Sequence, residues 1–171
     1  MGETGQSPVL SLGATEGGLA VLPGRTVWWQ TSSMPAIPAK PEAARAVRTH
    51  IGTILPAWHV DPGTIETFEL VVSELVANAV TASTAGGHPI PAPGGDQPVI
   101  RVYLYSDRRR LLGEVWDQAP GCPLPRRADD WAESGRGLSM IRDLGAQWGW
   151  WLSGAGKCVW AEMSYQARAG R

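Results

Sequence analysis

The stretch Asp61-Pro-Gly-Thr-Ile65-Glu-Thr-Phe68-Glu-Leu-Val-Val72-Ser-Glu74-Leu-Val-Ala-Asn78-Ala-Val-Thr-Ala82 decides the fold of this 171-residue chain. Asp61 before Pro62 has the form of an N-cap and a first helical position, where proline's missing N–H costs nothing. Ile65, Phe68, Val72, Leu75, Val76 and Ala79 then recur at helical spacing as one apolar stripe. The pattern predicts a helix from about Pro62 to Ala82. Glu74 and Asn78 lie four apart, so they share one face of that helix, at the edge of apolar neighbours. An amide oxygen there suits Mg²⁺, which prefers hard oxygen ligands. A carboxylate one turn away can orient or deprotonate a hydroxyl or a water. Taken alone, such a pair more simply reads as a solvated helix edge.

Upstream, Ala43, Val47, Ile51, Ile54 and Leu55 mark a second helix, with Pro41 in its first turn and Pro56 expected to end it. Pro35 to Pro41 reads as a linker. Leu19–Leu22 and Val27–Gln30, divided by Pro23-Gly24, read as strand, turn and strand. Downstream, residues 83–98 are too rich in Gly and Pro for regular structure. Val99–Tyr105 and Leu111–Trp116 alternate as strands around a turn at Ser106–Arg109. A short helix is expected from about Gly137 to Leu144, then a hairpin of Trp148–Leu152 and Cys158–Ser164. The sum is an α+β two-layer sandwich: an antiparallel or mixed sheet of four to five strands, with three helices on one face. One domain should span residues 19–166, with a loose terminus over 1–18 and a tail over 167–171.

Composition narrows the function classes. A formal net charge of −1 gives no overall attraction to nucleic acid or an anionic membrane. Arg108, Arg109 and Arg110 form the one dense basic run, placed where a solvated hairpin turn is expected. Cys122 and Cys158 have neither metal spacing nor a disulfide framework. No signal-peptide pattern or 18-residue apolar run is present, so a cytoplasmic location is expected. Trp150 and Trp151, like Trp28 and Trp29, should put one ring on either face of a strand.

Two further motifs bear on chemistry. Asp117-Gln-Ala-Pro-Gly121 directly follows a strand, where an Asp can accept a hydrogen bond from an exocyclic amine and Gly121 lets backbone approach a flat ring. Ser134-Gly135-Arg136-Gly137 opens a helix, and glycines there expose backbone N–H groups at its positive end, a natural phosphate site.

In this order and spacing, Glu74-Leu-Val-Ala-Asn78-Ala79, Asp117-Gln-Ala-Pro-Gly121 and Gly135-Arg-Gly137-Leu138-Ser-Met-Ile141 resemble the N, G1 and G2 boxes of the GHKL ATPases. Within them the likeness is to the small anti-sigma factor serine/threonine kinases, and it spans about Pro41 to Met163. The resemblance implies ATP and Mg²⁺ as cofactors, with Asn78 on the metal. It implies that Glu74 activates a partner's hydroxyl and that Asp117 reads the adenine amino group. Gly121, Gly135, Arg136, Gly137 and Leu138 would then form the nucleotide loops. The implied partners are a sigma factor and an anti-anti-sigma antagonist, and a homodimer is permitted. Thr81 and Ala82 stand where many relatives carry a basic residue and then His or Tyr. Cys158 is expected in the place of a Thr that helps a water reach adenine, and Lys157 is expected to be a solvated strand residue.

Overall fold

The computed structural model describes residues 19–22, 25–28, 30–84, 97–119, 136–153 and 156–166. The expected terminus over 1–18, the tail over 167–171 and most of the loop over 83–98 lie outside them. Three helices stand in chain order as α1 (Ala43–Ala57), α2 (Pro62–Thr84) and α3 (Arg136–Asp143). The strands are β1 (Leu19–Leu22), β2 (Arg25–Trp28), β3 (Gln30–Ser33), β4 (Ile37–Pro38), β5 (Val99–Ser106), β6 (Arg110–Asp117), β7 (Gln147–Ser153) and β8 (Gly156–Ser164).

α2 forms as its sequence predicts. Thr64 donates its backbone N–H to Asp61 Oδ1 at 2.9 Å and its hydroxyl to Oδ2, closing the helix start. The same bonds hold the Asp61 carboxyl below its ordinary pKa. Phe68, Val71, Val72, Leu75, Val76 and Ala79 form the buried face. Each such large side chain stabilises the fold by about 1.5–3 kcal/mol when fully buried. The helix continues past the expected Ala82 to Thr84, whose hydroxyl donates back to the Val80 carbonyl at 3.0 Å.

α1 buries Ala43, Val47, Ile51 and Leu55 and packs on α2. It runs one residue beyond Pro56, contrary to the expected stop. Pro56 forfeits the bond to the Gly52 carbonyl and crowds it, a cost confined to the last turn of the helix. The N–H groups that follow still close the end: Trp58 reaches Ile54 and Leu55, and His59 reaches Pro56. His59 then adopts φ 60°, and the Val60 N–H returns to the Leu55 carbonyl at 3.2 Å.

The main sheet has the order β3-β5-β6-β8-β7, with every pair antiparallel. β4 adds a sixth short strand on β5, pairing Ile37 with Ile100 and Pro38 with Val99. The segment expected as a linker, Pro35 to Pro41, thus contains ordered pairing, and Ile37 packs against the core. β1 and β2 form a separate two-stranded ribbon, Leu19 opposite Trp28 and Leu22 opposite Arg25.

Period-two alternation divides the sheet into two faces. Ile100, Val102 and Leu104 of β5, Leu111 and Val115 of β6, and Val159, Ala161 and Met163 of β8 join the helices in the core. A Cβ at Gly113 would lie 2.9 Å from Val72 Cγ2 and 3.2 Å from Phe68 Cζ, so α2 seats closely on β6 only because this residue is glycine. On the opposite face Trp116 and Trp151 meet edge to face, with centroids 5.6 Å apart at 85°. Trp148 and Trp150 pack against the helix-side core. The expected division of Trp150 and Trp151 between faces is therefore what β7 has, whereas the side chains of Trp28 and Trp29 lie outside the described residues.

At the β5–β6 turn, Arg108 takes φ 68° and is exposed, as is Arg109. Arg110 is anchored instead, donating to Asp107 Oδ2 and lying 3.5 Å from Glu162 Oε2. His50 is half-buried and shares a 2.9 Å hydrogen bond with Ser32 Oγ, tying α1 to β3. Burial lowers its pKa.

Candidate functional site

The motif residues map onto elements that pack on one another: α2 lies against β6, β8 and α3, and α3 lies against β7. Asn78 sits six residues, about 9 Å, beyond Val72 along α2. Asp117 is the last residue of β6, four residues and about 13 Å beyond Gly113. Glu74 and Asn78 are both half-buried, one turn apart at the margin of the buried stripe.

Asn78 and Asp117 share a chemical peculiarity. Among the described residues, seven buried side-chain polar atoms lack a hydrogen-bond partner, and four of these belong to the later part of α2 or the end of β6. They are Asn78 Nδ2, Ser83 Oγ, Asp117 Oδ2 and Gln118 Oε1; the others are Gln30 Oε1 and the indole N–H groups of Trp148 and Trp160. Leaving such an atom unpaired costs about 1–3 kcal/mol, so each of them in a folded protein calls for a reason. A phosphate oxygen could satisfy the Asn78 N–H₂, and the amide rotated by half a turn would offer its oxygen to a cation.

The other oxygen of Asp117 is fully engaged. Oδ1 accepts the Ala119 N–H at 2.9 Å and the Lys157 ammonium at 2.6 Å. Burial pushes the Asp117 carboxyl above its ordinary pKa, against the opposing pull of Lys157. Lys157, expected to be solvated, is 4% exposed and also donates to the Ala119 carbonyl at 3.1 Å. The pair is possible because β8 begins at a glycine. A Cβ on Gly156 would stand 2.2 Å from the Asp117 carbonyl oxygen.

The place expected for Cys158 is likewise corrected. Lys157 is opposite Asp117 in the β6–β8 register, and Cys158 is opposite Trp116 and Trp151. Alternation therefore turns the thiol to the face away from the described helices, where burial raises its pKa. The residue beside Asp117 is Lys157. Its inward direction could have been read from the sequence, since Val159, Ala161 and Met163 set a phase that Lys157 shares, whereas its pairing with Asp117 comes from the register. Gln118 and Gly156 carried no such signal.

Arg136 and Gly137 form the first turn of α3, whose leading backbone N–H groups have no helical acceptor. Leu138 is 4% exposed and belongs to the core with Ile141, so only its backbone can serve a ligand. Gly145, at φ 80°, closes the far end: its N–H reaches Arg142, and Ala146 N–H reaches Ile141. Gly121 and Gly135 lie outside the described residues. Thr81 is exposed and Ala82 half-buried, and α2 has no Lys, Arg or His in its 23 residues. Among the described residues, no group of three or more His, Cys, Asp or Glu side chains could hold a metal ion. No described helix is long and apolar enough to cross a membrane.

No curated protein matches the chain. Solved structures do. One contains the RsbU and RsbW domains of Rv1364c from Mycobacterium tuberculosis, 23% identical, covering 82% of this chain and 34% of that one, with a TM-score of 0.49. This chain therefore spans about a third of that solved chain. The histidine kinase domain of a blue-light activated kinase from Erythrobacter litoralis is 18% identical, covering 75% and 62%, at a TM-score of 0.43. The catalytic domain of the histidine kinase ThkA is 15% identical, covering 81% and 97%, at 0.45. A family profile, the histidine kinase-like ATPase domain, matches residues 37–163, which takes in α1 to β8 and all three motifs. On that match, and with the antiparallel sheet and three helices of a GHKL fold, the chain belongs to the histidine kinase-like ATPase domain family.

Proposed function

We propose that this chain binds ATP with Mg²⁺ between α2, the end of β6 and the start of α3, and transfers the terminal phosphoryl group to a serine or threonine of an antagonist protein. The observation that carries the reading is the coincidence of motif and orphaned atom. Asn78 Nδ2 and Asp117 Oδ2 are buried and lack partners among the described residues, and both belong to residues the motifs single out. A nucleotide would satisfy them together: Asp117 Oδ2 accepts from the adenine amino group, and the Asn78 amide meets the phosphates and the ion. The α3 N-terminus adds backbone donors for phosphate oxygens. Magnesium bound with the triphosphate would supply neutralisation of phosphate charge, with Asn78 as the residue that would hold it. Glu74, one turn from Asn78, then takes the proton of the attacking hydroxyl. Phosphoryl transfer asks for positioning and charge compensation more than covalent chemistry. By the family resemblance, the other partner is a sigma factor that the chain sequesters, in the cytoplasm and as a possible homodimer.

A second reading has its own observation. With no basic side chain on α2, the phosphates lack one cationic clamp that many relatives have there. The chain would then be an ATP-dependent interaction module that holds a partner and transfers phosphate slowly or not at all.

Calorimetric titration with ATP, with and without Mg²⁺, tests the common part. Binding should require Mg²⁺ and weaken at least about a hundredfold in Asn78→Ala, a loss of roughly 2.7 kcal/mol. No binding at millimolar ATP would overturn it. Labelled phosphate on the antagonist, lost in Glu74→Gln, selects the kinase. A partner complex that is equally stable in Glu74→Gln and never phosphorylated selects the module.

A further inference from the structure

The side that α2 turns to water is short of charge. Beyond its first turn, the exposed residues of the helix are Glu66, Leu70, Ala77, Thr81 and Thr84, and only Glu66 is charged. A packed surface helix usually carries charge there, as α1 does with Arg45 and Arg48. Leu70 and Leu152 are the two large apolar side chains left exposed among the described residues, Leu70 at 52%. α1 covers a different flank of α2, where Arg48 donates to Ser73 Oγ at 3.4 Å and Gly52 lies against Glu69. A single exposed leucine is ordinary on any surface. This one stands one turn before Glu74 and two turns before Asn78, on one i, i+4 ridge of the helix.

Steps along that ridge are about 6 Å. With Asn78 at the ion and phosphates and Glu74 at the attacking hydroxyl, Leu70 lies about 12 Å from Asn78, past the phosphates and alongside the incoming chain. In the transfer the hydroxyl oxygen bonds to the terminal phosphorus while the bond to the bridging oxygen breaks. ADP leaves with that electron pair, and the hydroxyl proton goes to Glu74. An extended segment puts every second side chain on one side, about 6.6–6.8 Å apart, which matches the step from Glu74 to Leu70. Leu70 also stands between Glu66 and Glu74 on the ridge, so an acidic occupant would be repelled and an apolar one accepted. We propose that Leu70 is a specificity-determining residue for the phosphoacceptor, receiving an apolar side chain two residues from the reacting serine or threonine of an extended segment. The inference rests on the reading of Glu74 as the base.

The test uses the full chain, Mg-ATP labelled in its terminal phosphate, and synthetic peptides with one central serine. One set carries leucine two residues to either side of the serine, and the other carries glutamine there. The leucine peptides should be phosphorylated with a kcat/KM at least about tenfold higher. Leu70→Ser, its fold checked by circular dichroism, should erase that preference through KM rather than kcat, and Leu70→Met should keep it. Equal phosphorylation of the two sets, or a preference that survives Leu70→Ser, overturns the inference and leaves the kinase standing. ATP binding with no peptide phosphorylated also overturns it, because the acceptor is then not taken as an extended segment. If ATP does not bind, the proposed function falls and this inference with it.

Discussion

The two ends of β6 carry similar chemistry in opposite states. At Arg110 the charged groups close on one another. Asp107 Oδ1 accepts the backbone N–H groups of Arg109 and Arg110, Oδ2 takes the Arg110 guanidinium at 2.8 Å, and Glu162 lies on its other side. Nearby, Ser106 Oγ and the Tyr165 hydroxyl are 2.8 Å apart and buried. At Asp117, about 23 Å along the strand, an equally intimate ion pair leaves a carboxylate oxygen unpaired among the described residues, with Gln118 Oε1 beside it in sequence. Polar groups that satisfy each other stabilise a turn, whereas the Asp117 end leaves acceptors unmet among the described residues. The contrast is one of completion, since both ends hold acids and bases.

Breaking the Asp117 end should have the largest effect. Lys157→Met keeps the length of the side chain but strands a buried carboxylate, a loss of about 3–5 kcal/mol. Its pH dependence identifies the cause. Burial already raises the Asp117 carboxyl, and without the ammonium it rises further. An acid with a raised folded pKa destabilises while ionised, and that penalty fades as pH falls through the folded value. Urea denaturation near pH 8 and near pH 5 should show a smaller deficit at the lower pH. An equal deficit at both would assign the loss to packing, and the comparison of the two ends would lose its electrostatic basis.

Gly156→Ala should follow at about 1–3 kcal/mol, because the new methyl would meet backbone, which cannot rotate away. Stability and ATP affinity should fall together, as the displaced atom belongs to Asp117 itself. A variant that is less stable yet binds ATP at full strength would detach the strand contact from the site.

Much of this was legible before any coordinates. The α2 stripe and its Asp61 cap place the central helix within two residues at its far end, because caps and helical periodicity are local properties of the chain. The alternation of β5, β6 and β8 marked the strands, and the turns marked the hairpins β5–β6 and β7–β8. The pairings of β6 with β8 and of β3 with β5 join distant segments and carry no local signal. Asn78 and Asp117 were legible as motif residues, though not as residues holding unpaired buried atoms, which depends on what surrounds them. β4 was missed because Ile37–Pro38 is too short to show a period, and it exists only through its partner β5. Pro56 does not stop α1 because the bond it forfeits lies in the last turn, where the following N–H groups of Trp58, His59 and Val60 still close the helix end. Lys157 was misjudged because lysine is usually solvated, and only the register of β8 against β6 reveals the acid beside it.

The smallest effect belongs to the closed end, and it is the control for the rest. Asp107→Ala removes acceptors for two backbone N–H groups of an exposed turn and a guanidinium that is a third exposed. Water can replace the carboxylate at all of them, so the cost should be about 1 kcal/mol and should shrink in high salt. ATP affinity should not change, because the turn lies at the other end of β6 from Asp117. Thermal unfolding at low and high salt, paired with the ATP titration, measures both quantities on one preparation. A salt-independent loss of several kcal/mol would mean the turn is as buried in its energetics as the Asp117 pair. A parallel loss of nucleotide binding would mean that β6 transmits strain along its length, and its two ends could no longer be treated as independent.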